Sequence, residues 1–188
     1  MLGKGCIMSA VAVLAADGFE TIECLTMVDV LRRGGVRVTL VSIMSTRDAV
    51  SSQQIGIACD RTLDEVDFDE YDYLVLPGGL PGTTNLRNDD RVCALVREFA
   101  TTKHVAAICA APSILGELGL LVGRKATCFP GFESTFPAGT YAGGKKVVVD
   151  GNIITASGMG QALPFALTVL KDIAGARAVE KVREGIQL

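Results

Sequence analysis

The stretch His104–Leu118, HVAAICAAPSILGEL, constrains the fold more than any other part of the chain. Val105, Ala106, Ala107 and Ile108 form a short apolar run of the kind a buried central strand uses. The run stops at Cys109. Two alanines and Pro112 follow, and proline suits the first position of a helix, where its missing N–H has no partner to lose. Ile114, Leu115 and Leu118 then repeat at helical spacing. Strand, sharp turn and helix, with a thiol at the turn, is the layout of a nucleophile elbow. Backbone N–H groups at the helix start favour a thiolate there. A small buried hydrophobe is the other reading of Cys109, since free cysteines are among the most buried residues.

The rest of the chain alternates the same two patterns. Ala10–Leu14 reads as a strand, and Phe19–Arg33 as a helix with Asp17 as a candidate N-cap. Val36–Val41 alternates and reads as the second strand. Ser45–Gln54 reads as a loop or short hairpin, Ile55–Cys59 as a short edge strand, and Leu63–Tyr71 as a solvated acidic segment. Tyr73–Leu76 is the third main strand, followed by the glycine-rich Pro77–Gly82. Asp89–Thr101 is an amphipathic helix with Val92, Leu95, Val96 and Phe99 on one stripe. Gly123–Phe129 is expected as a further strand. Lys146–Val149 and Asn152–Ala156 form a hairpin-like unit around Asp150–Gly151. The loop Ser157–Gly160 precedes helices over Gln161–Ala174 and Ala176–Ile186. The alternation predicts one α/β domain over residues 1–188, with a mostly parallel central sheet and helices on both faces. Sites in such sheets lie at the carboxyl ends of the strands. Cys109, the Pro77–Gly82 loop and Asp17–Glu23 all follow strands, so they should converge.

Bulk properties narrow the function. Hydrophobic residues make up 49% of the 188 and charged residues 21%, as in globular proteins. The net charge of −3 gives no basic footprint for nucleic acid and no polybasic patch for membranes. No apolar run reaches the roughly 20 residues of a membrane span. Lys4 with Ile7–Ala16 imitates a signal peptide, but its basic region is a single lysine and the run serves as the first strand. The six cysteines are scattered, with no CxxC, and the lone His104 cannot complete a zinc set. No metal or other cofactor is expected. Reduced thiols in a cytoplasmic protein fit this usage better than a disulfide framework. His104 sits five strand residues before Cys109, roughly 16 Å away, so it cannot be that cysteine's base. With no second histidine, Cys–His and Ser–His triads are excluded.

Within the first helix, Glu20, Glu23, Met27 and Val30 share a stripe. A carboxylate on an apolar face, if desolvated, has a raised pKa and keeps its proton. It can then bond a thiolate or shuttle a proton. Glu20 and Glu23 are equally read as first-turn acids that complement the helix dipole.

The stretches LAADGFETIECLTMVDVLRRGG, VLPGG, AAICAAPSIL and SGMGQALPFAL, in this order, resemble the DJ/ThiJ/PfpI superfamily over nearly the whole chain. The resemblance implies a flavodoxin-like three-layer sandwich, a homodimer and a reactive elbow cysteine. Cys109 matches the family nucleophile and Glu23 the carboxyl that bonds it. Gly78, Gly79 and Ala110 match the positions whose backbone N–H groups face the site. Glu20 and Arg33 match positions near the pocket and the dimer contact, and Cys59 resembles a secondary interface cysteine. Ala110 and Phe129 stand where many relatives carry a histidine, which weighs against peptidase activity. Gln54 stands in place of an arginine on the loop before the Cys59 strand. The resemblance implies glyoxalase or deglycase action on methylglyoxal, glyoxal or glycated adducts. The alternative it implies is a redox sensor or redox-regulated chaperone working through oxidation of Cys109.

Overall fold

A computed structural model describes residues 9–188. Cys6 and the beginning of the signal-like run therefore lie outside the described residues. Seven strands form one sheet, in the order β5-β2-β1-β6-β7-β9-β8. They are β1 (Ala10–Ala15), β2 (Arg37–Ser42), β5 (Arg61–Thr62), β6 (Tyr73–Leu76), β7 (His104–Ile108), β8 (Val147–Asp150) and β9 (Ile153–Ala156). Every neighbouring pair is parallel except β8 with β9. A separate hairpin pairs β3 (Asp48–Val50) with β4 (Gly56–Ala58). The helices are α1 (Thr21–Arg33), α2 (Gly82–Asn88), α3 (Asp90–Thr102), α4 (Pro112–Glu117) and α5 (Ala162–Gly185).

Successive strand side chains point to opposite faces, and this sorts the core into two layers. Val11, Val13, Ala15, Ala106 and Ile108 join Met27 and Leu31 of α1 and Phe165 and Leu170 of α5. Ala12, Leu14, Val105 and Ala107 join Val92, Val96 and Phe99 of α3 and Ile114 and Leu115 of α4. The result is an α/β sandwich with a mostly parallel central sheet, as the alternation requires. The last two expected helices flank Gly175, where α5 breaks at φ 81°.

Four local expectations change. The first helix begins at Thr21, and its N-cap is Glu20, whose side chain accepts from the Glu23 N–H at 2.7 Å. Asp17 instead accepts from the Val50 N–H at 2.9 Å and ties the β3–β4 hairpin to the loop before α1. Gly123–Phe129 is not a strand. The place beside β7 is taken by β9, so this segment has only an isolated bridge from Ala126 to Tyr141 and side-chain anchors such as Thr127 N–H to Thr155 Oγ1, 2.9 Å. Helix α2 was invisible because Leu86 is its only large apolar residue, too few for a period.

Candidate functional site

The site is built where β1, β6 and β7 end. Strand β7 runs buried to Ile108, and the chain then turns at Cys109 with φ +65°. A left-handed conformation is uncommon for a non-glycine residue and persists only where the surroundings hold it. Here both neighbours hold it. The Cys109 N–H donates to the Ala156 carbonyl at 2.9 Å, and its own carbonyl accepts from the Phe129 N–H at 2.8 Å. Beyond the turn, the Ser113 hydroxyl and N–H both donate to the Ala110 carbonyl, at 2.7 and 3.0 Å. The thiol is left half-buried at the crest.

Two reciprocal bonds join α1 to the glycine turn after β6. The Glu20 N–H donates to the Gly78 carbonyl, and the Gly78 N–H donates to Glu23 Oε2, both at 2.8 Å. Glu23 is 1% exposed, on the stripe it shares with Met27 and Val30. Its second oxygen, Oε1, is buried with no hydrogen-bond partner among the described residues, and the Cys109 thiol stands beside the carboxyl. Gly78 has to be a glycine. A Cβ there would lie 2.6 Å from the Cys109 Cβ and 2.6 Å from Glu23 Oε2.

Burial raises the Glu23 pKa from 4.5 to about 7, against the Gly78 N–H, which lowers it, and with the Glu20 charge, which raises it further. The helix-start argument expects a thiolate at Cys109, and the structure reverses the sign. Burial first, then the Glu23 charge and its bond, push the thiol up to about 12, while the Ala110 and Gly79 N–H groups pull it down. Two acids this close share their protons, so the pair titrates as one unit. In the state that holds one proton, a carboxyl that keeps it removes its own charge from beside the sulfur. That is the thiolate-bearing form.

The expected residues therefore meet, with two exceptions. Cys109, Glu23, Glu20, Gly78, Gly79 and Ala110 converge. The Gly78 N–H, however, is used by Glu23 and is not left open to a ligand. Arg33 lies ten residues beyond Glu23 on α1, roughly 15 Å along the axis. It pairs in solvent with Asp29 at 2.7 Å and does not reach the site. His104 is at the far end of β7, stacked on Tyr73 at 4.4 Å and near Asp172 at 3.6 Å. Sequence reasoning missed the clamp on Cys109 from Ala156 and Phe129, because both partners act through backbone atoms, which no side-chain pattern encodes.

A family model described as the DJ-1/PfpI family matches residues 9–172. Protein dj-1beta of Drosophila melanogaster is 35% identical over 176 residues, covering 93% of this chain and 94% of that protein. The Parkinson disease protein 7 homolog of Danio rerio is 33% identical over 175 residues, covering 91% and 93%. Among solved structures, Drosophila melanogaster DJ-1beta superposes with a TM-score of 0.91 at 34% identity, over 96% of this chain and 98% of that one. The oxidized form of Toxoplasma gondii DJ-1 superposes with a TM-score of 0.90 at 31% identity, over 95% and 98%. These are flavodoxin-like sandwiches of the same layers and sheet. On a family match across most of its length, and relatives this similar from end to end, the chain belongs to the DJ-1/PfpI family.

Proposed function

We propose that the protein is a cofactor-free enzyme acting on 2-oxoaldehydes, as a glutathione-independent glyoxalase or a deglycase-type hydrolase of methylglyoxal and glyoxal adducts. One observation carries this reading: a carboxyl with a pKa near 7 buried beside a half-buried elbow thiol. A group that titrates near the working pH serves as both acid and base. The Cys109 sulfur attacks the aldehyde carbon, and the carbonyl oxygen takes the Glu23 proton, giving a hemithioacetal. The Glu23 carboxylate removes the proton from that carbon and returns it to the adjacent one, while the oxygens exchange a proton. The product is a lactoyl thioester on Cys109. Water breaks the C–S bond, releases lactate and restores the thiol, with no net electron transfer. The Gly79 and Ala110 N–H groups, which face the sulfur, are donors for the oxyanion. With methylglyoxal, Cys109→Ser should lower lactate formation to the protein-free rate, and Glu23→Gln should lower it roughly 10²–10⁴-fold. Equal rates in wild type and Cys109→Ser would sink the reading.

The same two N–H groups favour a second role. They suit a sulfinate as well as an oxyanion, and one structural neighbour is described as oxidized. Peroxide would convert the Cys109 thiolate to sulfenate with loss of water, and a second peroxide to sulfinate. This would make the protein a redox sensor or redox-regulated chaperone. Graded peroxide followed by peptide mapping tests it, and oxygen gained first at Cys24, Cys93 or Cys128 refutes it. In either role we take the protein as a cytoplasmic homodimer whose partners are small aldehydes or glycated adducts. Among the described residues five cysteines are free thiols, which fits a reducing compartment. Among the described residues no helix is long and apolar enough to cross a membrane.

A further inference from the structure

The two segments that clamp Cys109 also border a space. Thr127–Pro130 and Ser157–Gln161 line an open pocket of about 490 Å³, together with Tyr141. Phe129, Tyr141 and Met159 line it, yet they remain 47%, 38% and 51% exposed. Large apolar side chains gathered around one concavity and left in water mark a binding surface. Lys145 and Lys146 line it too, and no carboxylate does among the described residues.

The pocket adjoins the Cys109 turn through two backbone bonds. Phe129 donates to the Cys109 carbonyl, and Ala156, which accepts from the Cys109 N–H, leads directly into the Ser157 wall. Strand β9 is the neighbour of β7, so this wall begins about one strand spacing, roughly 4.8 Å, from the elbow. That is near the reach of an aryl ring bonded to a reacting dicarbonyl. A methyl group would leave the pocket empty, and a cationic tail would meet the two ammonium groups.

We propose that this pocket is the side-group subsite of the enzyme, and that Met159, Tyr141 and Phe129 select aryl 2-oxoaldehydes without a cationic group over methylglyoxal. The proposal rests on the oxoaldehyde reading of Cys109 and deepens it. The bonds formed and broken at the aldehyde are those given above.

Two measurements test it. Acetophenone has the ring and ketone but no aldehyde, so it reports the subsite without turnover. Titrated into wild-type protein, it should shift the Met159 methyl resonance saturably, with the signal assigned by its loss in Met159→Leu. Acetone should not. The absence of an acetophenone shift overturns the proposal whether or not methylglyoxal is turned over, and turnover without that shift leaves the oxoaldehyde reading intact. The second measurement is the ratio of kcat/KM for phenylglyoxal to that for methylglyoxal. It should fall about tenfold in Met159→Ala and in Tyr141→Ala. An unchanged ratio in both variants overturns the subsite. Acetophenone binding with neither aldehyde turned over in wild type sinks the oxoaldehyde reading and, with it, the assigned selection.

Discussion

Glu23 is costly to ionise where it sits, and that cost has a pH signature. Its ordinary value of 4.5 is raised to about 7. Between those two values the folded protein holds a proton that the unfolded chain has released. The contribution is therefore complete below pH 4.5 and lost as pH rises through 7, about 3 kcal/mol in full. Glu23→Gln is neutral throughout, so its stability relative to wild type should improve over this window. Urea midpoints at pH 4.5 and 8 measure the change, and parallel curves for the two proteins would contradict it. Labelling of Cys109 by iodoacetamide should rise once near pH 7 in wild type, as the pair loses its first proton, and again toward pH 12. In Glu23→Gln a single rise below pH 12 is expected, because both contributions from Glu23 that raise the thiol are gone. Wild type with no step near pH 7 would remove Glu23 as the proton partner. These residues were legible in the sequence because each is a local anomaly: a thiol between a strand and Pro112, and an acid on an apolar stripe. The direction of the Cys109 shift was not legible. It is set by burial and by a charge 86 residues away in the chain, and it outweighs the helix start that the sequence does display.

Among the elements, the glycine turn after β6 couples the other two. It bonds α1 at Glu20 and Glu23 and leaves no room above Cys109. Gly78→Ala forces a methyl group into contacts of 2.6 Å on two sides. We expect it to cost about 1–3 kcal/mol of stability and to abolish lactate formation, which a urea curve and an assay on the same sample will check. A variant with normal turnover would show that the turn is not held as described. Gly175 makes the contrast. Its φ of 81° breaks α5 far from the site, so Gly175→Ala should cost about 1–2 kcal/mol with turnover unchanged. The break was readable from the two helical patterns on either side of it. The segment 123–129 was not, because Ala126, Thr127, Cys128 and Phe129 satisfy strand propensity while the place beside β7 is already taken by β9. Local propensity does not count the places available in a sheet.

For the whole molecule, the remaining question is what covers the face beside α1. Ile22, Val50 and Ile55 are each 40–48% exposed. They lie together because the hairpin is stitched to the chain entering α1, by Gly18 N–H to the Val50 carbonyl at 2.7 Å and Ser52 N–H to the Phe19 carbonyl at 2.8 Å. A second copy related by a two-fold axis buries the same patch twice. Covering half of an isoleucine contributes about 1 kcal/mol, so one truncation removes about 2 kcal/mol from a symmetric dimer, roughly 30-fold in its dissociation constant. Ile55→Glu adds two desolvated carboxylates to that loss and should give monomers at micromolar concentration. Sedimentation velocity on wild type and Ile55→Glu decides the matter: two dimers would move the interface elsewhere, and two monomers would refute the dimer. Because α1 carries both Ile22 and Glu23, a partner on this face would stiffen the helix start that holds the acid. Labelling of Cys109 at pH 7 should therefore drop in Ile55→Glu even though residue 55 is no part of the pair.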